Sequence, residues 1–262
     1  MAGHYGTTLQ ERREAEKAML TTFAEGQLFA ERFGANSPTV LALHGWGRDR
    51  KDFSAVLAHL DALAVDLPGF GLSPAPLEVW GTSEYAENLL PIIKQCSTTP
   101  LIVGHSFGGR VAVRAAAKFP DLIGGLVLTG VPLLRQSAKP SAPPLAIRVS
   151  RALRRRHLAS ERFVERLRDL YGSADYRAAH GIMRKILVRV VNEDYEEDLR
   201  RIRCRVKMVW GSADEETSPR IAKLASEIIA NSELEILPGV GHFLPVSAPR
   251  QLRAAIDRLR EF

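Results

Sequence analysis

The chain has 262 residues and a net charge of +6, with 45% hydrophobic and 25% charged residues, which is typical of a folded globular protein rather than a disordered one. No apolar run reaches the roughly 20 residues of a membrane-spanning helix, and Met1–Leu20 has no apolar signal-peptide core, so we expect a cytoplasmic protein without a membrane span. The two cysteines, Cys96 and Cys204, are too few for a disulfide framework or a zinc site, and we expect buried or half-buried thiols.

The N-terminal region predicts a hairpin at the edge of a sheet. Met19–Phe33 contains two short strand-like stretches joined by Glu25-Gly26-Gln27. This pattern indicates two antiparallel edge strands. The residues before about Thr21 read as a polar helix or a loose tail.

Further along the chain, short apolar runs alternate with helical patterns. Runs that end in glycine or a turn signal predict six buried strands, namely Thr39–Leu43, Ala62–Asp66, Leu101–Val103, Gly125–Thr129, Val206–Trp210 and Glu233–Leu237. Helices are predicted at Glu84–Cys96 after a Thr82-Ser83 cap, at Phe107–Phe119, at Pro219–Ala230 after a Thr217 or Ser218 cap, and at Pro249–Glu261. Together with the hairpin, this alternation predicts an α/β fold with a mainly parallel eight-stranded sheet and helices on both faces.

The stretch from Pro132 to Asp198 interrupts the alternation and predicts a helical insertion between two strands. A proline-rich connector is followed by a basic helical pattern at Ile147–Leu170, a second helical pattern at Ala178–Val191 and the acidic cluster Glu193–Asp198. We therefore expect a core built from residues 1–131 and 199–262, with the insertion at 132–198.

The motif Gly104-His105-Ser106-Phe107-Gly108 lies between a predicted strand and a predicted helix. A direct turn from strand to helix holds the central serine in a strained conformation, exposes its hydroxyl and requires small residues on either side. Ser106 is therefore the candidate nucleophile, and an ordinary tight turn is the alternative. His105 is expected to pack beneath the turn, since its side chain points away from Ser106.

A nucleophilic serine needs a base, and the base needs an orienting acid. His242 follows the last predicted strand and is flanked by glycine, which favours it over the other histidines. Asp214 follows the strand Val206–Trp210 and is the expected acid, although Glu215 and Glu216 are adjacent alternatives. The chain order Ser–Asp–His is the one expected for this type of serine turn.

Acyl transfer also needs donors for the developing oxyanion. The glycine-rich stretch His44-Gly45-Trp46-Gly47 follows the strand Thr39–Leu43, so we assign one donor to the N–H of Trp46 and the other to the N–H of Phe107. The side chains of Trp46, Phe107 and Phe243 are expected to bind substrate. For Trp46, packing on the core is the alternative role of the ring.

These motifs, in this order, resemble the α/β-hydrolase superfamily and more narrowly its small capped bacterial members. The matching segments are His44–Gly47, Asp66–Ser73, Gly104–Gly109, Trp210–Asp214 and Gly239–Phe243. The resemblance covers about Thr21–Thr129 and Leu199–Phe262. It implies that residues 132–198 form a cap over the pocket and that Asp66–Ser73 is a structural loop. Serine at position 106 argues against dehalogenases and epoxide hydrolases, whose nucleophile is an aspartate.

The positive charge of the chain is concentrated in the insertion. Eight arginines and only two acids, Glu161 and Glu165, lie between Arg148 and Arg168. A solvated helix face is the simplest interpretation. Attraction of an anionic substrate, or contact with nucleic acid or acidic lipid, are the alternatives, and no nucleic-acid motif supports the nucleic-acid version.

The sequence thus predicts a serine hydrolase that cleaves a carboxylic ester or related acyl substrate through an acyl-enzyme, with water as the second substrate. Neither a metal nor an organic cofactor is implied, no nucleic-acid partner is expected, and the oligomeric state stays open. The same three residues serve C–C bond hydrolases, thioesterases, lactonases and perhydrolases. A weakly catalytic ligand receptor of the same fold is the alternative from another class.

Overall fold

The computed structural model describes residues 19–134 and 174–261, and its first element is the expected hairpin. Strand β1 (Met19–Phe23) pairs antiparallel with β2 (Leu28–Phe33) across the turn Ala24–Gly26. Strand β2 then pairs antiparallel with a strand of the main sheet, with Phe29 opposite Asp66. The predicted antiparallel edge is confirmed, while the polar segment before Met19 lies outside the described residues.

The main sheet has eight strands, as predicted. Strands β3 to β8 are Val40–Leu43, Ala62–Asp66, Leu101–His105, Gly125–Thr129, Arg205–Gly211 and Ser232–Leu237. The strand order is β1-β2-β4-β3-β5-β6-β7-β8, and every pair from β4 to β8 is parallel. Because β5 lies near the middle of this order, the motif that follows it opens at the carboxyl edge of the sheet.

The central strands are buried on both faces, since every residue of β3, β4, β5 and β6 is buried. This explains their continuous apolar sequences. One core cluster, which includes Tyr85, Phe107 and Trp210, packs on one face, and a second, which includes Phe53 and Leu252, packs on the other. Helices therefore cover both faces, as the alternation predicted.

The helices largely follow the predicted positions. In chain order, those of the described residues are α1 Ser54–Leu57, α2 Thr82–Asn88, α3 Leu90–Ile93, α4 Phe107–Lys118, α5 Ala174–Ala178, α6 Gly181–Val190, α7 Glu196–Arg201, α8 Pro219–Ile228, α9 Leu244–Ser247 and α10 Pro249–Arg260. Ser218 caps α8, since its hydroxyl accepts a hydrogen bond from the N–H of Arg220. The short helices α1 and α9 were not predicted.

Two predicted helices differ from the structure. The helix expected at Glu84–Cys96 begins at Thr82 and is split into α2 and α3 at Leu89, because Pro91 lacks the N–H needed to continue it. The expected Thr82-Ser83 cap is wrong. Gly81 precedes the helix and donates its N–H to Glu84 (2.9 Å).

The helix expected at Ala178–Val191 corresponds to α6, which begins later, at Gly181, where a φ of +54° separates it from the short helix α5. The acidic cluster leads into α7, which continues past Asp198 to Arg201. The described part of the insertion is helical, as predicted. The arginine-rich pattern at Ile147–Leu170 and the proline connector lie outside the described residues.

Two further sequence expectations concern the cysteines and the membrane. Cys96 and Cys204 are both half-buried free thiols, as predicted, and burial raises the pKa of each to about 11. Within residues 19–134 and 174–261, no helix combines the length and apolar character needed to cross a bilayer.

Candidate active site

Ser106 lies at the tip of a strained turn between β5 and α4. Its backbone has a φ of +48° and a ψ of −112°, a conformation that costs a residue with a side chain of order 1–3 kcal/mol. The turn is fixed by two hydrogen bonds, from Ser106 N–H to the Thr129 carbonyl (3.0 Å) and from Gly108 N–H to the His44 carbonyl (3.0 Å). The strand, turn and helix therefore have the arrangement that the motif predicts.

Two positions of this turn, 104 and 108, require glycine because neighbouring backbone segments approach them closely. A Cβ on Gly104 would lie 2.5 Å from the Cα of Gly109, and a Cβ on Gly108 would overlap the carbonyl oxygen of Leu43. A side chain at Gly104 would push β5 and α4 apart, and one at Gly108 would push α4 away from the end of β3. The sequence requirement for glycine thus has a steric cause.

His242 and Asp214 are in contact at the carboxyl edge of the sheet, in the loops after β8 and β7. Nδ1 of His242 lies 2.9 Å from Oδ2 of Asp214, and both side chains are buried. The other carboxylate oxygen of Asp214 accepts hydrogen bonds from the N–H groups of Glu216 (3.0 Å) and Thr217 (2.7 Å). These bonds orient the Asp214 carboxylate toward His242, so the imidazole presents Nε2 away from the acid.

Ser106 and His242 line one cleft with a cavity volume of about 150 Å³. Its walls come from the loops after β3, β5 and β7, from the loop before α9, and from helices α5 and α6. The lining residues are Trp46, Ser106, Phe107, Arg110, Pro132, Asp175, Leu187, Val190, Val191, Glu216, Thr217 and His242. The predicted nucleophile, the predicted base and two predicted substrate-binding aromatics therefore share one cavity.

The predicted oxyanion donors flank the serine turn. The N–H groups of Trp46 and Phe107 make no hydrogen bond within residues 19–134 and 174–261. The Trp46 ring packs edge-on against Phe107 (5.2 Å between centroids) and Phe70 (4.9 Å). The ring therefore combines the two roles that the sequence left open, since it packs on neighbouring aromatics and also lines the cleft.

His44 holds the loop that carries Trp46. Its buried Nε2 accepts a hydrogen bond from the N–H of Leu67 (3.0 Å), and its Nδ1 lies 2.7 Å from the carbonyl oxygen of Gly45. Burial lowers the pKa of His44, which keeps the imidazole neutral and able to accept from Leu67. The ring thus ties the loop after β3 to the loop after β4.

The loop Asp66–Ser73 is built around the buried carboxylate of Asp66. Asp66 accepts hydrogen bonds from the N–H of Arg50 (2.8 Å), the guanidinium of Arg50 (2.5 Å) and the N–H of Leu72 (2.9 Å). The Ser73 hydroxyl donates to the Asp66 carbonyl (2.6 Å). These contacts match the structural role expected for this loop.

Two residues near His242 lie outside the cleft lining. His105 is buried, its Nδ1 lies 3.2 Å from the Thr129 carbonyl oxygen, and its ring packs against His242 with 4.8 Å between centroids. This is the packing position that the sequence predicted. Phe243 is 44% exposed and packs against the rings of His242 and His105 and the guanidinium of Arg48, so the structure does not bring it into the cavity with Trp46 and Phe107.

Sequence reasoning missed three charged residues of the cleft. The sequence patterns predict no role for Asp175 or Arg110, and they offer Glu216 only as an alternative acid. Glu216 instead approaches the opposite side of the imidazole, with Oε2 3.5 Å from Nε2 of His242. One feature of the sequence could have indicated Arg110. It is a charged residue, one turn before Arg114, in a helix that is otherwise rich in alanine and valine.

Arg110 and Arg114 of α4 attach the helical insertion to the serine helix. Arg110 donates to the Val190 carbonyl at the end of α6 (2.9 Å), and burial lowers its pKa. Arg114 pairs with Asp198 (2.6 Å). Both guanidinium groups lie over the ring of Tyr195, at 5.6 Å and 5.0 Å from its centroid. The insertion is therefore anchored directly on the helix that begins at Ser106.

The eight-stranded sheet, the strained serine turn and the Asp–His pair together define an α/β hydrolase. A model of the Alpha/beta hydrolase family matches residues 40–255, which is most of the chain. The protein therefore belongs to this family and is a hydrolase.

Similar proteins include enzymes with named activities. Esterase Rv0045c of Mycobacterium tuberculosis is 38% identical over 110 residues, which cover 40% of this chain and 37% of that protein. Lipase 3 of a Moraxella species is 23% identical over 252 residues, which cover 88% of this chain and 80% of that protein. A crystal structure described as a lipase from Acinetobacter baumannii matches with a TM-score of 0.71 and 18% identity, covering 100% of this chain and 98% of that one. This last likeness concerns the fold alone.

Proposed function

We propose that this protein is a serine hydrolase of carboxylic esters that uses a Ser106–Asp214–His242 triad. The observation that carries the proposal is the 2.9 Å contact between Asp214 and Nδ1 of His242, combined with the presence of His242 and the strained Ser106 in one cleft. The names of the similar proteins, an esterase and a lipase, support an ester as the substrate.

In the first half of the reaction, Nε2 of His242 takes the proton of the Ser106 hydroxyl as its oxygen attacks the ester carbonyl carbon. Asp214 holds the imidazole in the tautomer that leaves Nε2 free to accept, and it stabilises the imidazolium that forms. The N–H groups of Trp46 and Phe107 donate to the oxyanion of the tetrahedral intermediate. The imidazolium then protonates the leaving alcohol, and an acyl-enzyme on Ser106 remains.

In the second half, water replaces the alcohol. His242 takes a proton from the water, hydroxide adds to the acyl carbonyl, and the collapse of the second intermediate returns the proton to Ser106 and releases the carboxylic acid. The strained turn supports both halves because it fixes the serine oxygen at the N-terminus of α4, where the helix dipole favours developing negative charge.

Residues 132–198 are proposed as a cap that covers the cleft. Support comes from Asp175 of α5 and from Leu187 and Val190 of α6, which line the same cleft as Ser106. In this proposal, the core comprises residues 1–131 and 199–262. The arginine-rich part of the cap lies outside the described residues.

The proposal is tested by hydrolysis of p-nitrophenyl butyrate by the wild-type protein, Ser106→Ala and His242→Ala. Each substitution is expected to lower kcat by at least about 10³-fold, because each removes a group needed in both half-reactions. Glu215→Gln is the matched control, since this exposed side chain is adjacent to the predicted acid but does not line the cleft. A Ser106→Ala protein that keeps wild-type activity would contradict the proposal.

A further inference from the structure

The cleft contains two carboxylates that the proposed reaction does not use. Glu216 comes from the loop after β7, and Asp175 comes from α5 in the helical insertion. They belong to separate parts of the chain and line the same cavity as Ser106 and His242. Two carboxylates therefore reach this cavity from independent elements.

Glu216 lies beside Nε2 of His242, the atom that protonates the leaving alcohol in the proposed reaction. Its Oε2 is 3.5 Å from Nε2 of His242, and in the proposed reaction Nε2 delivers the proton to the leaving alcohol. The alcohol oxygen must therefore pass close to the Glu216 carboxylate. A cationic group on a short alcohol would come within ion-pair range of Glu216 while the ester bond is cleaved.

Asp175 is a carboxylate without an ion-pair partner among the described residues. No Lys or Arg of residues 19–134 and 174–261 lies within 4 Å of its oxygens, and burial raises its pKa. The raised pKa means that the local environment does not compensate the negative charge well. A bound cation would supply that compensation.

The positive charge of Arg110 does not cancel this effect. Arg110 is the only Lys or Arg that lines the cleft within the described part of the chain. It keeps its charge, because its partners, the Val190 carbonyl (2.9 Å) and the ring of Tyr195, are both neutral, and its buried Nε has no hydrogen-bond partner in the described ranges. Two carboxylates against one guanidinium leave one net negative charge among the described residues that line the cleft.

The cleft also has an aromatic side chain suited to an organic cation. Trp46 lines it together with the two carboxylates, whereas the ring of Phe107 is buried against other aromatic rings. Aromatic faces attract quaternary ammonium groups through their ring quadrupoles, and indole does so most strongly. The cavity therefore combines the two features that recognise such cations.

We propose that the cleft selects esters whose alcohol carries an ammonium group, with Glu216 and Asp175 as the specificity-determining residues. This inference rests on the proposed ester hydrolase function. It concerns the leaving alcohol and leaves the acyl group open.

The test compares three butyrate esters that differ in the charge of the alcohol. Choline butyrate is cationic, 3,3-dimethylbutyl butyrate is its neutral isostere, and 2-carboxyethyl butyrate is anionic. The expected kcat/KM is about tenfold higher for the choline ester than for its neutral isostere, as two partly exposed ion pairs would give. The preference should shrink as ionic strength rises.

Glu216→Gln and Asp175→Asn are each expected to reduce the choline preference by a factor of about three, whereas Glu215→Gln should leave it unchanged. Amide replacements keep the side-chain shape, and thermal unfolding checks that each variant is folded. Equal rates for the choline and neutral esters, or a preference for the anionic ester, would overturn the inference. The latter result would point to the arginine-rich segment as the recognition element.

A binding measurement separates this inference from the proposed function. Calorimetric titration of Ser106→Ala with choline butyrate and with its neutral isostere needs no turnover. About tenfold tighter binding of the choline ester supports the inference even if the wild-type protein hydrolyses no ester, which would contradict only the proposed function. Equal binding of the two esters would contradict the inference, even if Ser106-dependent hydrolysis of p-nitrophenyl butyrate is observed.

Discussion

Nδ1 of His242 lies 2.9 Å from Oδ2 of Asp214, and the second oxygen of this carboxylate is held by two backbone N–H groups of its own loop. The aspartate is therefore fixed before any substrate arrives, and it fixes the imidazole in turn. In the proposed reaction, this arrangement sets which ring nitrogen accepts the serine proton.

Asp214→Asn tests this relationship directly. The amide keeps the shape of the side chain but no longer favours the required imidazole tautomer or stabilises the imidazolium. We expect kcat for p-nitrophenyl butyrate to fall by about 10³- to 10⁴-fold with little change in thermal stability. Steady-state kinetics and calorimetric melting measure the two quantities. An Asp214→Asn protein with near wild-type kcat would refute the role of Asp214.

The strained backbone of Ser106 predicts a stability difference between two inactive variants. With a φ of +48° and a ψ of −112°, position 106 favours glycine over any residue with a Cβ. We expect Ser106→Gly to have a free energy of unfolding about 1 kcal/mol higher than Ser106→Ala, as measured by urea denaturation. Equal stability of the two variants would show that the turn stores no strain at this residue.

The contacts between α4 and α7 lead us to expect that Arg114 contributes to the stability of the fold. Arg114 pairs with Asp198 and lies over the Tyr195 ring, and its side chain is mostly buried. Arg114→Met is expected to lower the free energy of unfolding by about 2 kcal/mol, because the substitution leaves the buried Asp198 carboxylate unpaired. Arg200→Met is the control. It removes an exposed pair with Glu196 in the same helix, so its effect should stay within about 0.5 kcal/mol. Similar losses for both variants would argue against the anchor.

His105 predicts a pH dependence of stability. Burial, followed by the nearby His242, lowers the pKa of His105 to about 3, so the folded protein keeps it neutral while the unfolded chain protonates it below about pH 6.5. The unfolded state then binds more protons, and stability falls as the pH drops from 6.5 toward 3. At about 1.4 kcal/mol per pH unit, His105 should account for about 2 kcal/mol of the loss between pH 7 and pH 5.

The matched variant is His105→Asn, which can still donate to the Thr129 carbonyl and does not titrate. Urea denaturation at pH 7 and pH 5 should show a smaller acid-side loss for this variant than for the wild-type protein. An identical loss in both proteins would mean that His105 does not resist protonation in the folded state.

Much of the site could be predicted from the sequence because short-range patterns encode it. The turn at Ser106 depends on glycines within two residues of it. Ser106 and Asp214 follow strands that are largely apolar and buried, whereas the strand before His242 alternates polar and apolar residues. Parallel strands bring their carboxyl ends to one edge of the sheet, so His242 and Asp214 meet there although they are 28 residues apart.

The parts that could not be predicted depend on long-range packing. Thr82 was expected to cap a helix, but its hydroxyl donates to Glu193, a residue 111 positions later in the insertion. Arg114 and Asp198 are 84 residues apart, and nothing in the local pattern of either residue indicates the other. Nothing in the sequence distinguishes Glu216 and Asp175 from other acidic residues. Only the folded structure shows that they share a cavity with His242.

The most direct test of the proposed serine mechanism is intact-mass and peptide mass spectrometry after treatment with a fluorophosphonate, which reacts with activated serines. We expect a single adduct on the peptide that contains Ser106, no adduct in Ser106→Ala, and strongly slowed labelling in His242→Ala. An adduct on a different residue, or equal labelling of Ser106→Ala, would contradict the assignment of Ser106 as the nucleophile.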